Sequence, residues 1–97
     1  MQIEKTLDDG KLTLKVQGRL DTNTSPDLEA ALSFEGVREV TFDFSELEYI
    51  SSAGLRILMK AQKALMAAGG KMLVASPNVT VKSILDITGM SSIFTIV

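Results

Sequence analysis

The stretch from Val40 to Ser76 changes its hydrophobic period twice, and that change limits what the chain can become. Val40, Phe42 and Phe44 alternate with polar residues, as in a strand with one buried face. From Ser52 to Ala68 there is no proline, and Ala, Leu, Met and Lys dominate, all strong helix formers. Gly69 and Gly70 end that run, and "KMLVAS" follows as a near-continuous apolar strand suited to the interior of a parallel sheet. A strand, a long helix and a second strand joined by short connections predict a parallel pairing with a right-handed crossover.

The flanking segments extend the pattern. Gln2–Leu7 and Lys11–Gly18 enclose "DDG", a hairpin signal because Asp-Gly accepts the positive φ angles of a type I′ turn. Leu12, Leu14 and Val16 alternate with Thr13, Lys15 and Gln17, which predicts one buried and one wet face. The first strand, with Ile3 and Leu7 turned inward, is the weaker partner and is expected at the sheet edge. In "TNTSPDLEAAL", Thr24 or Ser25 can cap a short helix reaching about Ser33. Pro26 suits its first turn, Asp27 and Glu29 suit the positive end of its dipole, and Gly36 is a plausible terminator.

In the long helix, Leu55, Leu58, Met59, Leu65 and Met66 form an apolar side, with Met59 and Met66 read as core filling. Arg56, Lys60 and Lys63 form the opposite, basic stripe. Ser76-Pro77 begins a third helix with Val81, Ile84, Leu85 and Thr88 on one face, and Gly89 closes it. "SSIFTIV" ends the chain as a strand. The expected fold is α/β, a single mixed sheet of about five strands. It opens with a β-hairpin and continues in βαβαβαβ order, with helices packed against the sheet. The length of 97 residues predicts one domain, residues 1–97.

Composition narrows the chemistry. There is no cysteine and no histidine, which removes disulfides, thiolate or histidine metal sites, and the Ser-His-Asp triad. No cofactor, no metal site and no enzymatic activity are therefore expected. A net charge of −2 argues against direct nucleic-acid binding. No segment has the ~18–20 continuous apolar residues of a membrane span, and the charged, alternating start is unlike a signal peptide. The expected location is the cytoplasm.

One stretch remains, "YISSAGLRIL", at Tyr49–Leu58. Ser51 and Ser52 fall where a strand end meets a helix start, the usual place for functional groups in open α/β sheets. The ordinary reading is a helix cap. A nucleophile elbow needs G-x-S-x-G and a base, and a phosphate-binding loop needs G-x-x-x-x-G-K-S/T; neither is present. Ala53 and Gly54 leave little bulk around the hydroxyls, so a partner could approach them.

Four segments taken together carry a resemblance: Gly18-Arg19-Leu20-Asp21, the strand ending at Asp43, Ser51-Ser52-Ala53-Gly54-Leu55, and Leu85-Asp86-Ile87-Thr88-Gly89. In this order they resemble the STAS family, specifically bacterial anti-sigma factor antagonists, over essentially the whole chain. The resemblance implies binding of an anti-sigma factor that is also a serine kinase, with release of the sigma factor. It further implies phosphorylation of the serine two positions before the turn glycine, Ser52 rather than Ser51, and a protein phosphatase that reverses it. Ser51 stands where the family commonly has aspartate. The implied partner surface comprises Asp21, Thr22, Ser51, Ser52, Ala53, Gly54, Leu55 and Arg56. Asp43 is expected to accept local backbone hydrogen bonds or to orient the Ser52 loop. The alternative reading is a STAS nucleotide- or ligand-sensing module, or an accessory subunit of a transport system.

Overall fold

The computed structural model describes residues 1–97. Strands β1 (Gln2–Asp8) and β2 (Lys11–Leu20) form the opening antiparallel hairpin. Asp9 and Gly10 at its tip have φ of 49° and 78°, the positive pair that a type I′ turn demands. Helix α1 (Ser25–Ala31), strand β3 (Glu39–Asp43), strand β4 (Leu47–Ile50), helix α2 (Ser52–Ala67), strand β5 (Lys71–Ala75), helix α3 (Val79–Ile87) and strand β6 (Thr95–Ile96) follow. A turn of 3₁₀ helix, Met90–Ser92, leads into β6.

The sheet runs β1-β2-β3-β5-β6, and every pairing after the hairpin is parallel. β2 is long enough to serve two neighbours in succession. Lys11–Lys15 pair with β3, and Gly18–Leu20 pair with β4 after a register shift between Gly18 and Arg19. β3 leaves at Asp43, the turn Phe44–Leu47 reverses nothing but offsets the chain, and β4 takes up the vacated edge. This sixth strand goes beyond the sequence-based expectation of about five.

Alternation decides the faces. Leu12, Leu14, Val16, Val40, Phe42, Phe44, Met72 and Val74 are buried beneath the helices, while Thr13, Lys15, Thr41 and Asp43 on the other face stay half-exposed. Leu28 of α1, Leu58 and Leu65 of α2, and Val81 and Leu85 of α3 join them in one cluster of 21 buried residues.

Five local expectations are corrected. Leu7 is 60 % exposed: it pairs with Leu12 on the helix-facing side, but the edge strand lies outside the shelter of the helices, and only Ile3 is half-buried. Met66 is 67 % exposed, because the buried stripe of α2 runs through Ile57, Leu58, Ala61 and Leu65 and leaves Met66 on its solvent edge. α3 starts at Val79 and not at Ser76-Pro77. Its cap is Asn78, whose Oδ1 accepts from the Val81 amide at 2.8 Å. Thr88 is exposed, with its hydroxyl turned back onto the Ile84 carbonyl. Gly36 lies in a turn beyond α1, which ends at Ala31.

Candidate functional site

The ends of β2 and β4 and the start of α2 meet on one rim. The Ser51 amide donates to the Leu20 carbonyl at 2.8 Å, so β4 continues the ladder up to the helix. Ser51 is extended (φ −95°, ψ 174°) and is the N-cap of α2. Its hydroxyl oxygen accepts from the Gly54 amide at 3.3 Å, and its carbonyl accepts from Leu55 at 2.9 Å. A serine in this role satisfies donors that the helix itself leaves orphaned. Ser52 is the first helical residue. It is exposed, and its hydroxyl makes no hydrogen bond within the chain. The adjacent serines therefore differ: one hydroxyl is committed to the backbone, the other faces solvent.

Gly54 does something other than leave room around a hydroxyl. It is buried, and a Cβ there would lie 2.8 Å from Leu20 Cγ and 2.9 Å from Ile50 Cγ1. Both side chains are buried in the core and cannot swing aside. The missing side chain lets the first turn of α2 press onto the ends of β2 and β4. Leu55 is buried beside it, Ala53 is half-buried, and Arg56 is exposed.

Across the rim, Asp21 closes the turn between β2 and α1. Its Oδ1 accepts from the Asn23 amide at 3.0 Å and the Thr24 amide at 3.1 Å, while the Thr24 hydroxyl donates to the Arg19 carbonyl at 2.8 Å. The Asp21 carboxyl is held below its ordinary pKa, first by the Thr24 amide; desolvation opposes this as the next-largest influence, and the Asn23 amide, the Thr24 hydroxyl and the charge of Arg19 add to the lowering. The Thr24 side chain, expected as a cap, makes no capping bond to α1; it braces this turn. The Ser25 hydroxyl donates to the Asp21 carbonyl. Thr22 sits exposed at the turn's apex.

Asp43 behaves as a local acceptor. Its Oδ1 takes the Ser45 amide at 3.0 Å, and that bond lowers its pKa. Two features were not singled out in the sequence. The Asn78 Nδ2 donates to the Leu47 carbonyl at 3.0 Å, which ties the cap of α3 to β4. The Arg19 guanidinium lies 4.5 Å from the centre of the Tyr49 ring, its register partner across β2 and β4. Both were legible only as residues of the right type; their contact depends on β4, whose strand character was missed. Of the basic stripe, Lys60 is taken by Glu29 at 3.0 Å, bridging α1 and α2, while Arg56 and Lys63 enter no ion pair. No group of acidic, cysteine or histidine side chains is arranged to hold a metal ion. No helix is long and apolar enough to cross a membrane.

Comparison with known proteins agrees with this architecture. A family profile described as the STAS domain matches residues 2–97. BtrV of Bordetella bronchiseptica, named as a candidate anti-sigma factor antagonist, is 35 % identical over 89 residues, 89 % of this chain and 77 % of that protein. The anti-sigma F factor antagonist of Paenibacillus polymyxa is 27 % identical over 100 residues, 99 % of this chain and 86 % of that one. The anti-sigma factor antagonist SpoIIAA in its unphosphorylated form superposes with a TM-score of 0.86 at 18 % identity, covering 99 % of this chain and 88 % of that one.

Proposed function

The chain belongs to the STAS domain family, among the anti-sigma factor antagonists, and from that membership we propose that its unmodified form binds a serine-kinase anti-sigma factor and frees the sigma factor. Transfer of a phosphoryl group to Ser52 ends that binding, and a protein phosphatase restores it. The chain acts by binding and carries out no catalysis itself.

The observation that carries this reading is the difference between the two serines. The Ser51 hydroxyl is a cap, and the Ser52 hydroxyl is exposed with no partner inside the chain. In the kinase site the Ser52 Oγ attacks the γ-phosphorus of ATP, ADP leaves with the broken P–O bond, and a kinase base takes the hydroxyl proton. The product adds about −1.5 to −2 charge at neutral pH. A helix N-terminus tolerates this charge, so the scaffold stays folded.

A docked partner does not tolerate it as well. One like charge about 4 Å away costs about 4 kcal/mol at an effective dielectric of 20. That is nearly three decades of affinity, before the phosphate is desolvated. Asp21 and Thr22, across the rim, and Arg56, one turn along α2, border the same surface.

The test is incubation with the kinase anti-sigma factor of its own cell and ATP, followed by mass spectrometry and a binding titration. Phosphate is expected on Ser52 alone, absent in Ser52→Ala, with binding of the modified form weakened by two decades or more. Phosphate confined to Ser51, or equal binding before and after modification, overturns the reading.

A further inference from the structure

β1 lies at one end of the sheet and is seven residues long, whereas β6, at the other end, has two. Every residue of β1 except Ile3 is exposed. The hairpin loop is the two residues Asp9 and Gly10, so Asp8 and Lys11 form the hydrogen-bonded pair that closes it. Alternation then turns the amides and carbonyls of Gln2, Glu4, Thr6 and Asp8 toward β2. Those of Ile3, Lys5 and Leu7 point outward, and none of them is bonded to a turn or loop. The side chains of these three lie on the helix side of the sheet, opposite Val16, Leu14 and Leu12. An edge with unpaired backbone groups is a template for a further strand.

We infer that two copies of this chain pair antiparallel through β1, about a two-fold axis at Lys5, and join their sheets into one. A second copy fits because the strand is self-complementary in a single register. A two-fold axis perpendicular to the sheet keeps both helix layers on one side, so residues can face each other only within the odd set or within the even set. With Lys5 on the axis, Ile3 of each copy faces Leu7 of the other, Glu4 faces Thr6, and Gln2 faces Asp8. The outward-pointing residues then exchange ladder bonds, and Leu7, 60 % exposed on its own, gains an apolar neighbour on its open side. Moving the axis to Glu4 sets two carboxylates face to face and Ile3 against Lys5. Moving it to Thr6 sets Glu4 against Asp8 and Leu7 against Lys5. The favoured register has one like-charge contact, Lys5 on Lys5. There the Lys5 Nζ donates to the Ala31 carbonyl at 3.0 Å, so the carbonyl end of α1 offsets part of the charge.

This edge lies on the side of β2 away from β4, which leads to Ser52. Strand direction reverses across the axis, so the pair presents two Ser52 rims at opposite ends of the joined sheet. Assembly and docking at the rim are therefore independent, and each pair offers two docking surfaces.

Sedimentation equilibrium of the unmodified chain tests this, with Leu7→Pro, Leu7→Glu, Lys5→Thr and Ser52→Asp beside it. The wild type should pass reversibly from monomer to dimer as its concentration rises. Proline at position 7 removes an outward amide and spares the hairpin ladder. That loss counts twice across the axis, so association should weaken about tenfold or more. Leu7→Glu, which leaves the backbone unchanged, should weaken it as well and keeps the test open should the proline variant fail to fold. Lys5→Thr removes the like-charge contact and should tighten association severalfold. Ser52→Asp should sediment as the wild type. The chain has no cysteine, so Lys5→Cys places a lone thiol of each copy on the axis. The two Cα atoms would lie about 5.5 Å apart, a span that a disulfide bridges. Air oxidation should link Lys5→Cys into a covalent dimer and leave Lys63→Cys unlinked. A wild type that stays monomeric at about 1 mM, association unaffected by both Leu7 variants, loss of association in Ser52→Asp, or equal linking of the two cysteine variants overturns the proposal.

Discussion

The Gly54 amide donates to the Ser51 hydroxyl at 3.3 Å, and this one bond separates the roles of two adjacent serines. Removing a serine N-cap costs about 0.5–2 kcal/mol, and the length of this bond places it toward the lower end. Ser51→Ala should therefore lower stability by about 1 kcal/mol. Ser52→Ala removes an exposed hydroxyl with no partner and should stay within about 0.5 kcal/mol of the wild type. Urea unfolding at neutral pH measures both. Equal losses for the two variants would contradict the division.

Gly54→Ala sets two effects against each other. Replacing glycine within a helix gains up to about 1 kcal/mol of helix propensity. The new Cβ, however, would lie 2.8–3.0 Å from Leu20 and Ile50 atoms, in a core where both are fully buried. Overpacking of this kind costs about 1–3 kcal/mol, so a net destabilisation is expected. Trimming the obstacle should relieve part of it. In a double-mutant cycle, Gly54→Ala combined with Ile50→Ala, which removes the obstructing Cγ1, should cost less than the sum of the single changes. Strict additivity would show that the helix start, rather than the core, absorbs the Cβ.

The Asp21 turn should fail in acid. Its carboxyl titrates lower in the fold than in the unfolded chain, chiefly because the Thr24 amide bonds the ionised form. The unfolded chain thus binds the proton first. The stability due to this group is complete above the ordinary carboxylate value of about 3.9 and is lost as pH falls through the depressed folded value. Asp43, through the Ser45 amide, and Asp86, through Lys82 and Ser91, contribute with the same sign. Urea midpoints measured from pH 6 downward should fall below about pH 4, and Asp21→Asn should flatten that fall. An Asp21→Asn variant with the full wild-type acid dependence would remove Asp21 from the account.

These relationships show where local pattern stops being informative. The hairpin, the alternating strands and the 16-residue α2 announce themselves by period and turn chemistry, because each is stabilised largely within its own segment. β4 is different. Leu47–Ile50 is four residues long and becomes a strand only because β3 departs at Asp43 and leaves the end of β2 open. Everything that depends on β4 was hidden with it: the Arg19–Tyr49 stack, the Asn78 bond to Leu47, and the packing duty of Gly54. Ser51 and Ser52 were both visible as candidates, but only the trajectory of the chain into α2 assigns the cap to one of them. The same holds for Met66, which shares the helix period of the core yet overhangs its edge.

The basic stripe of α2 separates in the same way. Lys60 meets Glu29 of α1 at 3.0 Å, with the two side chains 65 % and 48 % exposed. Such a pair is screened by water and by the entropy of two long side chains, so a double-mutant cycle on Lys60→Ala and Glu29→Ala should give a coupling of about 0.2–1 kcal/mol. Raising the salt from 0.1 M toward 1 M shortens the screening length from about 10 Å to about 3 Å and should shrink that coupling. Arg56 and Lys63, which have no carboxylate partner, should leave stability within about 0.5 kcal/mol when changed to Gln. Their effect should be kinetic instead. Exposed rim charges act mainly on the rate of encounter, so Lys63→Gln should slow association with an acidic face of the anti-sigma factor at low salt and leave dissociation unchanged. Stopped-flow binding at two ionic strengths distinguishes this from a stripe that is only solvated, for which neither rate would move.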